Sequence, residues 1–138
     1  MISQTALRTK SFYNWCEVNI KFSIGCDLEE IRKFEKKISN ERFLNKVYTK
    51  TEIEYCLNKA KPAPHLAARW CAKEAVIKAL SGLGINSIEF TKIEIINNTE
   101  GYPEVYIHDP CCEGLEPKVS LSHSADIVMA TAIINCRE

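Results

Sequence analysis

Between Leu66 and Leu80, eleven of fifteen residues are hydrophobic, and the exceptions are Arg69, Lys73, Glu74 and Lys78. A helix that is apolar nearly all round is a buried one. Charges are buried only when they are paired or hold a ligand. At 3.6 residues per turn, Arg69 and Lys73 share one side of such a helix, and Glu74 and Lys78 share another. Gly82 and Gly84 follow. They could end the helix or let backbone N–H groups approach an anion. Two further polar groups stand out: Asp27 with Glu29 after a strand-like run, and Ser120, Ser122 and His123 at the end of another. Carboxylates without a Cys or paired-His cluster suit a hard divalent cation such as Mg²⁺, not zinc. Lysines and an arginine beside them suit phosphate. In combination they describe metal-assisted phosphoryl chemistry. Each also has an ordinary structural reading. Asp27 could be a helix N-cap, Glu29 a dipole complement, Gly82 a helix terminator and His123 a turn residue. Walker A and Rossmann fingerprints are absent.

The chain that must position these residues has 138 of them, 46% hydrophobic and 26% charged. That suits one domain with a real core, expected over residues 17–138 behind an N-terminal extension at 1–16. Lys+Arg and Asp+Glu both number 18. Net charge therefore gives no general pull toward nucleic acid or an anionic membrane, and any electrostatic recognition is local. No apolar run approaches the ~20 residues of a membrane span. Seven cysteines, an odd number without a C-x-x-C, suggest reduced thiols in an intracellular protein. The Cys111–Cys112 pair is the most oxidisable of them. Residues 1–16 lack the apolar region of a signal peptide and contain no acid. They suit an organelle-targeting remnant or a simple extension, so the expected location is the cytoplasm or an organelle interior.

Val18, Ile20, Phe22 and Ile24 alternate with polar residues as a strand. Leu28, Ile31, Phe34 and Ile38 then recur at helical spacing, with Asp27 placed to cap the helix. Thr49 and Glu52 form a capping box that opens a helix to about Lys59. Lys61-Pro62-Ala63-Pro64-His65 breaks it, and the main helix is expected from about Leu66. Residues 90–108 read as a hairpin around Asn97–Pro103. Residues 109–118 read as a loop, Val119–His123 as a strand, and Asp126–Ile134 as a buried strand. The order implies an α+β fold, an antiparallel sheet packed against a long central helix and shorter helices.

The ordered set of motifs resembles the holo-acyl-carrier-protein synthase family of 4′-phosphopantetheinyl transferases. The matching residues are Ile24-Gly25-Cys26-Asp27, Arg42-Phe43 through Thr49 and Glu52, and Ala68-Arg69-Trp70-Cys71-Ala72-Lys73-Glu74-Ala75 with Lys78-Ala79. Gly82 and Gly84, Glu94-Ile95 with Gly101 and Pro103, and Val119-Ser120-Leu121-Ser122-His123 complete them. The match covers about residues 22–135.

The resemblance implies transfer of the 4′-phosphopantetheine arm of coenzyme A to a serine of an apo acyl carrier protein, releasing adenosine 3′,5′-bisphosphate. By matching position, Asp27 and Glu74 would hold Mg²⁺ on the pyrophosphate, with Glu29 as a further carboxylate. Lys78 would stabilise charge at the transferring phosphorus. Arg69 and Lys73 would grip coenzyme A phosphates, helped by backbone at Gly82 and Gly84. His123 with Ser122 would bind the adenosine-side phosphate. The short members are trimers with sites between subunits, so His123 would reach a neighbour's Asp27 and Glu74. Arg32, Lys33, Lys36 and Arg42, with Lys46, could dock an acidic carrier or simply be a solvated face. The carrier expected is that of fatty acid biosynthesis. The alternatives are polyketide or peptide-synthetase carriers and, in another class, a module that binds coenzyme A or a nucleotide without chemistry. Two positions depart from the family pattern: Lys33 where an arginine is usual, and Trp70 for phenylalanine.

Overall fold

A computed structural model describes residues 21–136; the extension and the expected strand start at Val18–Ile20 lie outside them. The elements are β1 (Phe22–Glu30), α1 (Arg32–Glu35), α2 (Glu41–Val47), α3 (Lys50–Leu57), α4 (Pro62–Gly82), β2 (Ile93–Asn97), β3 (Pro103–Ile107), β4 (Leu115–Ser124) and β5 (Ile127–Cys136). Strands β1, β5 and β4 form one antiparallel sheet in that order, and β2 and β3 form a hairpin. The expected α+β architecture is found: α4 lies across the sheet, and the shorter helices and the hairpin close around it.

Three expectations are corrected. Asp27 caps no helix, because β1 continues through Glu30 and pairs residue by residue with β5. Phe22, Ile24 and Leu28 are all exposed on one face of that strand. The period-two series thus runs on to Leu28, and the helical spacing of Leu28 with Ile31 and Phe34 is a coincidence of phase. The main helix begins at Pro62, not Leu66, with Pro62 in its first turn. A first-turn N–H has no intrahelical acceptor, so proline costs nothing there. Strand β5 is buried on one face alone: Val128, Ala130, Ala132 and Ile134 are within the core, whereas Met129 and Ile133 are 41% and 45% exposed.

Asn40 Oδ1 accepts from Phe43 N to cap α2, a helix not expected from the sequence. Two other expectations are met, and one is shifted in its bounds. The Thr49–Glu52 capping box opens α3 with both reciprocal bonds present. Residues 93–107 form the hairpin. The loop after it is shorter than expected, since β4 starts at Leu115 and carries Pro117 on an edge strand, where a missing N–H is tolerated.

Close packing of β1 on α4 sets the site. A Cβ at Gly25 would overlap the Ala75 carbonyl oxygen and come 2.7 Å from Ala79 N. A Cβ at Gly82 would overlap the Ser23 hydroxyl. Glycine at both places lets the strand lie directly on the helix backbone.

Candidate active site

The contact between β1 and α4 brings three predicted residues together. Lys78 Nζ donates to Asp27 Oδ1 at 3.0 Å and to the Cys26 carbonyl at 2.9 Å. An ammonium has three donors, so one N–H remains. The Lys78 side chain is half exposed and the Asp27 side chain mostly covered, which makes this the wall of an open site. Glu74 lies one turn before Lys78 and is half-buried. Burial raises its pKa, the Asp27 charge raises it further and Glu29 adds a little, against the opposing pull of Lys78. Asp27 and Glu74 thus share the one ammonium of Lys78, and a further positive charge beside them would be stabilised.

The donor set fits Mg²⁺. Among the described residues, no three His, Cys, Asp or Glu side chains come close enough to enclose a metal. Mg²⁺ is held through one or two carboxylates, and substrate phosphates and water complete its shell. Asp27 and Glu74 fit that role. Glu29 lies two residues along the same face of β1 but is already engaged. Its Oε1 accepts from Lys33 Nζ at 2.9 Å and from Glu30 N at 3.0 Å. Burial works to raise the Glu29 pKa, and these two bonds outweigh it and hold the carboxyl low.

Lys73, expected on phosphate, is placed elsewhere. It is wholly buried, and its Nζ donates to Glu52 Oε2 at 2.7 Å, Val47 O at 2.8 Å and Phe90 O at 3.0 Å. All three donors are used, so none is left for a ligand. Burial pulls its pKa down and Glu52 opposes that. Glu52 also accepts from Thr49 N and Ile95 N, so one carboxylate ties α3, α4 and the hairpin together. Arg69 is turned to the hairpin as well. It donates to Asn97 Oδ1 at 2.9 Å and lies 4.2 Å over the Tyr55 ring. Its buried Nε has no partner among the described residues. Gly82 ends α4, and Gly84 follows at φ +80°.

Ser122 and His123 do not act as a pair within one subunit. They pair with Met129 and Val128 of β5 respectively, and neighbouring side chains leave a strand on opposite faces. His123 shares the inner face with Glu29, whose partner is also Val128. With β5 between them, the two are separated by two strand spacings, about 10 Å.

Sequence reasoning missed an aromatic cluster beside the carboxylates. Trp70, one turn before Glu74, stacks on Phe90 at 4.8 Å. Phe34 and Phe43 pack on it at 6.1 and 5.9 Å, and the Lys37 ammonium lies 4.5 to 5.5 Å over all three rings. The available signal was the spacing of Trp70, Glu74 and Lys78, which places all three on the part of α4 that is not covered.

The sequence profile of the 4′-phosphopantetheinyl transferase superfamily matches residues 23–132. A holo-[acyl-carrier-protein] synthase of Chlorobaculum parvum is 41% identical over 114 residues, 80% of this chain and 96% of that one. Among solved structures, a Chronobacterium ammoniagenes ACPS–CoA complex superposes with a TM-score of 0.72 at 25% identity, covering 86% of this chain and 99% of that one. A Helicobacter pylori holo-[acyl-carrier-protein] synthase in complex with coenzyme A gives 0.69 at 26% identity, over 80% and 98%.

Proposed function

This chain belongs to the 4′-phosphopantetheinyl transferase superfamily, and we infer that the Asp27–Glu74–Lys78 cluster is where it works as a holo-[acyl-carrier-protein] synthase. It moves the 4′-phosphopantetheine group of coenzyme A to a serine of apo acyl carrier protein. The serine oxygen forms a bond to the phosphorus that carries pantetheine. The bond from that phosphorus to the bridging oxygen breaks, adenosine 3′,5′-bisphosphate leaves with that oxygen, and the serine proton passes to solvent water. The observation that carries the reading is the sharing of one Lys78 ammonium by the carboxylates of Asp27 and Glu74, with one of its N–H groups left to offer.

Asp27 and Glu74 would hold Mg²⁺, which would supply charge neutralisation on the pyrophosphate. Lys78 donates its remaining N–H to an oxygen of the transferring phosphoryl group. A charge-stabilising donor of this kind is worth about 10²–10³ in rate. Asp27 keeps Lys78 extended toward the site, and the Asp27 bond raises the lysine pKa so that it stays charged. In-line positioning by the rigid β1–α4 contact supplies much of the remaining acceleration.

A homotrimer completes the site. Phe22, Ile24 and Leu28 of β1 are 60%, 64% and 61% exposed, and they adjoin Met129 and Ile133 on the outer sheet face. An apolar face this continuous marks an interface, and copies of this chain cover it. His123 binds the adenosine-side phosphate of a neighbour's coenzyme A. Arg32, Lys36 and Arg42 are exposed around the aromatic cluster and dock the acidic carrier. Lys33 and Arg32 add less, because Glu29 and Glu30 already pair with them at 2.9 and 3.4 Å. The carrier is that of fatty acid synthesis. The six described cysteines are free thiols, which suits the cytoplasm or another reducing compartment.

Mass spectrometry of apo acyl carrier protein after incubation with this protein, coenzyme A and Mg²⁺ tests the reading. Addition of one phosphopantetheine, abolished by a chelator, is the expected result. No addition on fatty-acid, polyketide or peptide-synthetase carriers would overturn it.

A further inference from the structure

Between β3 and β4 the chain turns and sets two thiols side by side. Cys111 Sγ lies 3.7 Å from Cys112 Sγ. Adjacent side chains diverge in a strand, whereas here they sit on a 3₁₀ turn over Pro110–Cys112 and meet. Asp109 holds that turn. Its Oδ1 accepts from Cys111 N and its carbonyl from Cys112 N, each at 3.0 Å. Pro110 fixes its own φ at the start of the turn. Cys111 is exposed, and Cys112 is 5% exposed against the core. The pair is therefore reached from solvent through Cys111 while Cys112 stays anchored.

Two sulfurs at this spacing can chelate one soft atom. A bond from sulfur to such an atom is about 2.3 Å, and two sulfurs on one centre at a near-tetrahedral angle stand about 3.7 Å apart. A structural zinc site needs four ligands, and among the described residues no third His, Cys, Asp or Glu joins the pair. A pyramidal centre that brings a third group of its own needs no further protein ligand. We propose that Cys111 and Cys112 form a binding site for trivalent arsenicals of the class R–As=O. Two As–S bonds form, the arsenic–oxygen bond breaks, and its oxygen leaves as one water with both thiol protons. Arsenic stays trivalent and neither sulfur is oxidised. Protonated thiols suit this condensation. Hydrogen bonding to Asp109 pushes the Cys111 pKa up to about 12, and burial raises that of Cys112 against the pull of Cys111. Peroxides and disulfides react with thiolate, so the pair resists the oxidation that its sequence suggests. The site is independent of the transferase reading.

Phenylarsine oxide and the full-length protein test it, with binding followed by intact mass and Kd measured by competition with a small dithiol. Wild-type protein should keep one phenylarsine through a wash with excess glutathione, because the second sulfur binds intramolecularly. Cys111 is exposed, so Cys111→Ser leaves the core intact. It should bind about 10²-fold more weakly and lose the adduct in the wash. Cys112→Ala should do the same, and Cys26→Ser should bind as the parent does. In the loaded wild-type protein, iodoacetamide should no longer label Cys111. No retained adduct on wild-type protein, parental affinity in Cys111→Ser, an equal loss in Cys26→Ser, or labelling of Cys111 after loading would each overturn the site. Displacement of the arsenical by an equal concentration of Zn²⁺ would make the pair a zinc site and overturn it as well.

Discussion

Gly25 lies so close to Ala75 that a methyl group on its Cα would overlap the Ala75 carbonyl oxygen. The obstacle is helix backbone and cannot rotate aside. Gly25→Ala should therefore push β1 off α4, carrying Asp27 away from Glu74 and Lys78. Overpacking of this sort costs about 1–3 kcal/mol. Urea denaturation should show that loss, and the transfer rate should fall by more than the folded fraction explains. An alanine variant with parental stability and rate would show that the contact does not set the site.

Glu74 has its pKa raised by burial and by the Asp27 charge. The sign follows for an acid. Its folded pKa lies above the unfolded reference of 4.5, so ionisation destabilises the fold as pH rises through that window, and the effect vanishes below it, where both states are protonated. Without metal, Glu74→Gln should raise Tm at neutral pH and match the parent in acid, while losing transfer activity. A Tm difference independent of pH would separate the gain from Glu74 ionisation.

Leu28 is 61% exposed on the outer face of the sheet. Leu28→Asp should convert trimers to monomers in sedimentation and abolish transfer without changing the fold seen by circular dichroism. Asp27→Ala and His123→Ala, each inactive alone, should recover activity when reassembled together. With random mixing in a symmetric trimer, about a quarter of the sites receive both intact residues. Mixed trimers with no recovered activity would place His123 outside the neighbour's site.

The helix that carries most of the site could be read from its composition, and so could the capping box at Thr49 and the hairpin after Phe90. Local pattern failed where the answer depended on a distant partner. Lys73 and Lys78 are five residues apart on one helix, and nothing near either says which is uncovered. That is decided by Glu52, 21 residues before Lys73, and by β1, 51 residues before Lys78. Asp27 read as a cap because Leu28, Ile31 and Phe34 have helical spacing, and the ladder with β5 overrode it. Ser122 and His123 were read as a unit because they are adjacent, but adjacency in a strand separates side chains.

Lys73 and Glu74 are neighbours in sequence and point about 100° apart around α4. One is sealed under α3 and the hairpin, and the other faces the carboxylates of β1. The Lys73–Glu52 bond therefore acts as a rotational key. With three acceptors waiting for one ammonium, α4 has a single angular setting, and in that setting Glu74 and Lys78 face Asp27. The close fit of Gly25 against Ala75 holds the same setting from the opposite side of the helix. The buried pair contributes no atom to the reaction, but it fixes which way the reacting stripe looks.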